Sequence, residues 1–123
     1  MQTINKKTLV LGASSNPSRY SYLALNRLVN AGHSVEAIGK KEETVAGVHI
    51  QKETQPLADI DTVTLYLNPL NQKPYYDYIL SLHPKRIIFN PGAENTELEE
   101  LAQQHNIATM EACTLVLLAT GQY

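Results

Sequence analysis

The chain has 123 residues, of which 43% are hydrophobic and 18% charged, and this composition is typical of one folded domain, residues 1–123. Its net charge of −2 gives no general attraction to nucleic acid, and no apolar run approaches the roughly 18 residues of a membrane-spanning helix. The polar start, 1–7, lacks the apolar core of a signal peptide, and the single cysteine excludes an internal disulfide. We therefore expect a cytoplasmic domain with neither nucleic acid nor membrane as a partner.

The first predicted strand, 8–11, runs directly into a loop of small residues. Gly12 permits a tight turn there, and a helix is predicted from about Ser18 to Ala31. A strand, a small-residue turn and a helix N-terminus form an anion site, because unpaired backbone N–H groups and the helix dipole point at the loop. The spacing does not complete the G-x-G-x-x-G fingerprint, so a phosphorylated ligand and a purely geometric turn both stay open.

Strands and helices alternate along the rest of the chain. Gly32 is placed to end the first helix, and further strands are predicted at 34–38, 48–50, 61–67, 86–90 and 107–110. The segment 114–120 is apolar and is either a helical turn or an edge strand.

Two more helices are predicted between these strands. The first carries apolar side chains at helical spacing, with Pro74 in its first turn: Tyr75, Tyr78, Ile79 and Leu82. The second is opened by a capping-box pattern of Thr96 and Glu99 and runs to about Gln104.

This alternation predicts an α/β fold, a Rossmann-like doubly wound, mainly parallel sheet of five or six strands with helices on both faces. In such sheets the ligand binds beyond the carboxyl ends of the strands, at the topological switch point. That rule selects four loops as the candidate site, at 12–19, 39–41, 68–70 and 90–94.

The loop after the second strand discriminates among nucleotide ligands. An NAD-binding domain usually ends this strand with Asp or Glu, which binds the ribose hydroxyls, whereas this chain has Gly39, Lys40 and Lys41. Lysine favours an additional phosphate near the adenosine ribose, such as the 3′-phosphate of coenzyme A or the 2′-phosphate of NADP. The alternative is that 40–43 forms a solvated surface turn.

With these residues in view, the chain resembles a known family. Gly12-Ala13-Ser14, Pro17, Arg19 and Ser21, followed by Gly32-His33-Ser34-Val35, are similar to the G-A-S-x-x-P-x-R-x-S … G-H-x-V pattern of small bacterial CoA-binding proteins. These proteins are stand-alone relatives of the N-terminal CoA-binding domain of the succinyl-CoA synthetase α subunit. The resemblance covers essentially the whole chain and implies a Rossmann-like domain with CoA lying across the strand ends. It departs from the family at Ile38-Gly39-Lys40, where many small members have Val-Asn-Pro.

The resemblance also implies roles for individual residues. Ser14, Ser15, Asn16 and Pro17 would line the phosphate loop, and Lys40 or Lys41 would contact CoA, as the lysine after the second strand does in the synthetase. Phe89, Asn90 and Pro91 would approach the pantetheine arm. With the loop residues above, the candidate set is Gly12, Ala13, Ser14, Ser15, Asn16, Pro17, Arg19, Gly39, Lys40, Lys41, Asn68, Pro69, Phe89, Asn90, Pro91 and Gly92.

Neither a catalytic constellation nor a metal-binding spacing is recognisable in the sequence. The leading hypothesis is therefore binding of CoA or an acyl-CoA without turnover. One alternative is an NADP-dependent reductase, although only Tyr66 stands at a strand end as a proton donor. Another is an interaction module, as a homodimer or as a subunit for a separate acyl-CoA ligase. Cys113 is expected to be a buried, inert thiol or, if it faces the pocket, to form a mixed disulfide with CoA.

Overall fold

Strands and helices alternate throughout the computed structural model, which describes residues 4–123. The strands are β1 (Thr8–Ala13), β2 (Val35–Gly39), β3 (Thr44–Val45), β4 (Val48–Gln51), β5 (Thr62–Leu65), β6 (Arg86–Phe89) and β7 (Ala108–Glu111). The helices are α1 (Tyr20–Asn30), α2 (Pro69–Gln72), α3 (Tyr76–Ser81), α4 (Thr96–Gln104) and α5 (Thr114–Ala119), with a 3-10 turn, Lys73–Tyr75, between α2 and α3.

The strands form one sheet in the order β3-β4-β2-β1-β5-β6-β7. Every neighbouring pair is parallel except β3–β4, which is antiparallel. The chain builds outward from β1 on one side and then returns to add β5, β6 and β7 on the other. The predicted doubly wound α/β fold is confirmed. The sheet has seven strands rather than five or six, because 44–45 folds back on β4 as a short hairpin strand.

The two faces of the sheet bury separate apolar clusters. On one face Leu9 and Leu11 of β1 pack with Ile79 of α3 and Leu98 of α4, all 0% exposed. On the other face Val10 packs with residues of α1 and α5, including Leu25 and Leu28. Because side chains alternate along a strand, one apolar strand supplies both layers. The prediction of helices on both faces is confirmed.

The first helix ends as its sequence predicts. Gly32 has a φ of +89° and donates to the carbonyl of Val29 at 3.0 Å, while His33 N–H donates to that of Leu28 at 3.1 Å. This pair of bonds closes the last turn of α1 and needs a residue that tolerates left-handed backbone.

Two helix predictions are wrong in detail. Pro74 lies in the 3-10 turn, and the helical region begins earlier, at Pro69, where the Asn68 side chain accepts from Asn71 N–H at 2.9 Å. The capping box does not form, because Asn95 is the N-cap of α4 and accepts from Leu98 N–H at 3.3 Å.

The segment 114–120, for which the sequence allowed a helical turn or an edge strand, forms α5, which packs through Leu118 against the α1 face of the core.

Among residues 4–123, no helix combines the length and the apolar character needed to cross a membrane.

Candidate functional site

A cleft of about 880 Å³ lies beyond the carboxyl ends of the central strands. It lies over the carboxyl ends of the neighbouring strands β1 and β5, where the strand order changes direction across the sheet, and this is the topological switch point of the fold. Residues from all four loops selected from the sequence line it. The structure therefore has a cleft where the strand-end rule locates a ligand.

Most of the candidate residues line this cleft. They are Gly12, Ala13, Ser14, Ser15, Asn16, Arg19, Gly39, Lys40, Lys41, Asn68, Pro91 and Gly92. Pro17 and Pro69 are exposed and lie outside the lining. Phe89 and Asn90 also lie outside it, because their side chains are 1% and 2% exposed beneath the cleft. The expectation that Phe89 and Asn90 approach a ligand directly finds no support in this arrangement.

The β1–α1 loop is held in shape by its own side chains. Ser14 Oγ accepts from Asn16 N–H at 3.0 Å, and Asn16 Oδ1 accepts from Ser18 N–H at 3.0 Å. Arg19 is the N-cap residue of α1, and its side chain makes no capping hydrogen bond. The N–H groups of Tyr20 and Ser21 have no acceptor among residues 4–123. These free donors point out of the helix end at which the cleft begins.

The charged side chains that line the cleft are all positive. Every charged residue that lines it within the described chain is cationic, and these are Arg19, Lys40, Lys41 and Lys52. This contrasts with the net charge of −2 for the whole chain. The first turn of α1 also contains no acidic residue, so the positive end of its dipole is uncompensated by a side chain. Helix N-terminus and side chains together favour an anion.

Two glycines allow the strands to approach closely beneath the cleft. Gly12 has a φ of +96°, and a Cβ there would lie 3.0 Å from the backbone carbonyl carbon of Tyr66. A Cβ at Gly39 would collide with the carbonyl oxygen of Ala13. Both positions need glycine for packing, whatever the ligand, so their role is to shape the floor of the cleft.

Asn90 organises the floor from below. Its Nδ2 donates to Thr64 Oγ1 at 2.7 Å and to the carbonyl of Leu65 at 2.8 Å, and its Oδ1 accepts from Thr114 N–H at 2.9 Å. One buried amide thus joins β5, the end of β6 and the start of α5. It sets the direction in which the following residues, Pro91 and Gly92, enter the cleft wall.

A second buried amide joins two loops of the wall. Gln72 is 0% exposed, and its Nε2 donates to the carbonyls of Leu67 and Ala93, each at 2.8 Å. Its Oε1 accepts from Asn95 Nδ2 at 2.8 Å. The loops after β5 and β6 are therefore held at a fixed separation. Sequence reasoning missed Gln72, since a glutamine in a helical segment carries no signal of burial.

The cleft lining also includes residues that the sequence analysis did not select. They are Tyr20, Ser21, Ile38, Lys52, Leu67, Asn71 and Tyr75, together with Tyr66, which was considered only as a proton donor, and Ala93, which lies in the selected loop 90–94 but was not named as a candidate. Lys52 had a detectable signal, because it directly follows β4 just as Lys40 follows β2. Once β4 is known to be a parallel strand of the sheet, the rule that ligands bind beyond the carboxyl ends of the strands also selects Lys52.

Tyr66 is badly placed for proton transfer to a ligand. Other atoms of Tyr66 line the cleft, but the hydroxyl group is buried near Thr64 and Thr114. It makes no hydrogen bond of good geometry within residues 4–123. Burial raises the pKa of this hydroxyl above its ordinary value, which makes it a weaker acid.

Cys113 is half-buried before α5 and lies outside the cleft lining. A mixed disulfide with CoA requires a thiol that faces the pocket, and this condition is not met.

Comparison with known proteins gives the family. The family model described as CoA binding domain matches residues 6–119. A crystal structure of an uncharacterized protein is 49% identical, with a TM-score of 0.95 and coverage of 98% of this chain and 99% of that chain. No curated protein matched the chain.

Two more distant structures share the fold. A hypothetical protein from Pyrococcus horikoshii OT3 is 23% identical, with a TM-score of 0.82 over 91% of this chain and 80% of that one. The dinucleotide forming acetyl-coenzyme A synthetase 1 of Ca. Korarchaeum cryptofilum is 19% identical, with a TM-score of 0.69 over 87% of this chain. The match covers 25% of that synthetase. With the family model matching nearly its full length, this chain belongs to the CoA-binding domain family.

Proposed function

We propose that this domain binds CoA or an acyl-CoA in the cleft over the strand ends and does not itself turn it over. The observation that carries the proposal is the charge of the cleft, whose charged lining residues are all cationic although the chain is acidic overall. Phosphates are the anionic part of CoA, and lysine and arginine are their usual partners. Family membership supplies the identity of the ligand.

The diphosphate of CoA would lie at the start of α1. The N–H groups of Tyr20 and Ser21 are free there, and Arg19 lines the same part of the cleft. Helix α4 offers no equivalent site, because Glu97 and Glu99 already occupy its first turn. The β1–α1 loop is therefore the better anion site of the two.

The 3′-phosphate would lie against Lys40 and Lys41. Both side chains are exposed, line the cleft and follow the β2 strand, where a ribose-binding acid would stand in an NAD site. Neither has a carboxylate within 4.0 Å among residues 4–123, so no ion pair has to be broken when a phosphate binds.

The pantetheine arm would extend toward the ends of β5 and β6. That part of the cleft is lined by Leu67, Tyr75, Pro91 and Ala93, whose surfaces are mainly apolar or aromatic. A cleft with a cationic half and a weakly polar half matches a ligand with a phosphorylated nucleotide at one end and an uncharged arm at the other.

A binding role without catalysis agrees with the chemistry of the lining. Within residues 4–123 the cleft is lined by no histidine, cysteine, aspartate or glutamate, the side chains that most often act as acids, bases or nucleophiles. The buried hydroxyl of Tyr66 also weakens the alternative of an NADP-dependent reductase, which the family match does not support.

A role as a subunit for a separate acyl-CoA ligase is the second candidate. It is favoured by the acetyl-coenzyme A synthetase whose similar region makes up 25% of its chain. In that reading the domain would hold the CoA substrate while another polypeptide supplies the chemistry.

The test is titration calorimetry with CoA, dephospho-CoA, NADP and NAD under identical conditions. The proposal predicts that CoA binds about tenfold to a hundredfold more tightly than dephospho-CoA, because the 3′-phosphate makes charge-assisted contacts with more than one lysine. Tighter binding of NADP than of CoA would favour the reductase, and the absence of binding by any of the four would favour the interaction module.

A further inference from the structure

Lys52 reaches the cationic end of the cleft from a different strand than the other lysines. It directly follows β4, which pairs in parallel with β2 through Ala37 with Ile50 and Ile38 with Gln51. Continuing that register puts Lys52 beside Gly39, the residue before Lys40. The two strand ends therefore present their lysines side by side, and all three line the cleft.

The strand that leads into Lys52 is paired on both sides, whereas the lysine side chain is exposed. Strand β4 is braced on its outer side by β3, and Ile50 N–H donates to the carbonyl of Glu43 at 2.7 Å. Val45 and Ile50 are 6% and 1% exposed in the core beneath. The hairpin thus holds the strand that ends directly before Lys52, and this limits where the lysine can reach.

The lysines of this group are not neutralised by the acids around them. Within residues 4–123, no carboxylate lies within 4.0 Å of Lys40, Lys41 or Lys52. Two acids are adjacent to these lysines in sequence: Glu42 has its carboxylate 3.4 Å from His49 Nε2 on the hairpin, and Glu53, next to Lys52, makes no ion pair within 4.0 Å among the described residues. Three neighbouring ammonium groups repel one another, and an anion of high charge relieves that repulsion better than a singly charged one.

We infer that Lys52 is a specificity-determining residue, which with Lys40 and Lys41 selects a ligand bearing a phosphate monoester at the ribose. A monoester carries a charge of about −1.5 to −2 at neutral pH, whereas each phosphate of a diphosphate bridge carries about −1. The inference rests on the proposed function, since it assigns a role to one residue of the same cleft.

The experiment measures Kd for CoA and dephospho-CoA with the wild type and the variants Lys52→Ala and Lys85→Ala. Lys85 is the control for net charge, because it is an exposed lysine directly before β6, at the amino ends of the strands and away from the cleft, where its only ion pair among residues 4–123 is one with Asp61 at 3.9 Å. Lys52→Ala should weaken CoA binding about five- to tenfold and dephospho-CoA binding less than about twofold. Lys85→Ala should leave both Kd values within about twofold of wild type, because Lys85 lies outside the cleft at the amino ends of the strands, and salt screens an exposed charge at a distance.

The outcomes separate this inference from the proposed function. Equal losses for CoA and dephospho-CoA in Lys52→Ala, or no loss for either, would overturn the role of Lys52 while leaving CoA binding intact. Failure of the wild type to bind CoA would overturn both.

Two further variants at this position separate the effect of its charge from an effect on folding. Lys52→Arg keeps the positive charge and should retain CoA binding within about threefold, because guanidinium and ammonium groups both bind phosphate. Lys52→Glu should lose more affinity for CoA than Lys52→Ala, because it places a negative charge beside the monoester. A loss in Lys52→Arg as large as in Lys52→Ala would contradict a role that depends on charge.

Discussion

The side-chain oxygen of Asn90 accepts a 2.9 Å hydrogen bond from the N–H of Thr114, so the residue that follows β6 also satisfies the first N–H of α5. The same amide donates two bonds into β5. A residue that family resemblance assigns to the ligand thus supports the cleft from beneath.

Replacement of Asn90 by aspartate should destabilise the fold. The isosteric carboxylate cannot donate to Thr64 Oγ1 or to the carbonyl of Leu65, and it would face that carbonyl as a buried charge. We expect the free energy of unfolding to fall by about 2 to 4 kcal/mol. Urea unfolding followed by circular dichroism measures this, with Asn106→Asp as the control at an exposed position. Equal stability of the two variants would contradict the role of Asn90.

Gln72 should be similarly sensitive. Gln72→Leu keeps the approximate volume but leaves the carbonyls of Leu67 and Ala93 without the donor they share. The free energy of unfolding should fall by about 2 to 4 kcal/mol, because buried carbonyls lose their partners. Gln104→Leu, at an exposed position of α4, should change it by less than about 0.5 kcal/mol. Loss of comparable size in both variants would show that the two loops are not joined through Gln72.

A comparison of two glycine variants separates the effect of close packing at Gly12 on stability from the effect of its left-handed backbone. Gly12→Ala and Gly47→Ala both place a Cβ on left-handed backbone, with φ of +96° and +79°. Only Gly12 has close neighbours, since nothing lies within 4 Å of a Cβ at Gly47. Gly47→Ala should cost about 1 kcal/mol of unfolding free energy, and Gly12→Ala about 1 to 3 kcal/mol more. Thermal unfolding of the two variants measures the difference, and equal losses would remove the packing argument.

The sequence predicted the fold and the position of the cleft because both depend on local pattern. The apolar strands, Gly12 and Gly32 are recognisable from composition and spacing, and parallel strands bring their carboxyl ends to one edge. The β3–β4 hairpin was only half predicted, since Thr44–Val45 is too short to show an alternation.

The remaining details depend on contacts between distant segments. Thr96 and Glu99 fit a capping box, yet Asn95 caps α4 because its side chain is also held by Gln72 and Tyr76. Asparagine and threonine are both preferred N-cap residues, so the local sequence offers two adjacent positions, and the hydrogen bonds from distant segments favour Asn95. The buried positions of Phe89 and Asn90 have the same origin: the strand-end rule identifies a loop but not which of its side chains point inward.

The lysines after β2 should contribute to CoA binding through the 3′-phosphate. The double variant Lys40→Ala/Lys41→Ala should weaken CoA binding by about tenfold or more and leave dephospho-CoA almost unaffected. Raising the salt concentration should weaken CoA binding in the wild type more than in this variant. Equal losses for the two ligands would refute the assignment of the 3′-phosphate to these residues.

His33 should make stability depend on pH. Burial, followed by the charges of Lys6 and Arg86, lowers the pKa of its imidazole, and its Nδ1 accepts from Lys6 N–H at 3.0 Å. A lowered pKa means that the unfolded state binds the proton more readily, so this contribution to stability is present above about pH 6.5 and is lost as the pH falls below it.

Thermal unfolding between pH 7.5 and 5.5 tests this prediction. The melting temperature should fall less steeply with pH in His33→Asn than in the wild type. His83→Asn is the control, since His83 is exposed and has a φ of +47°, which asparagine tolerates. An unchanged slope in His33→Asn would exclude His33 as the source.

The most direct test of the central claim is the mapping of backbone amide shifts by NMR as CoA is added to the domain. We expect the largest shifts on the cleft, at Ser15, Tyr20, Ser21, Lys40 and Lys52, while His33 and Lys85, at the amino ends of the strands, stay unchanged. Saturable shifts centred on the cavity lined by Lys6, His33 and Tyr123, or no shifts at millimolar CoA, would contradict it.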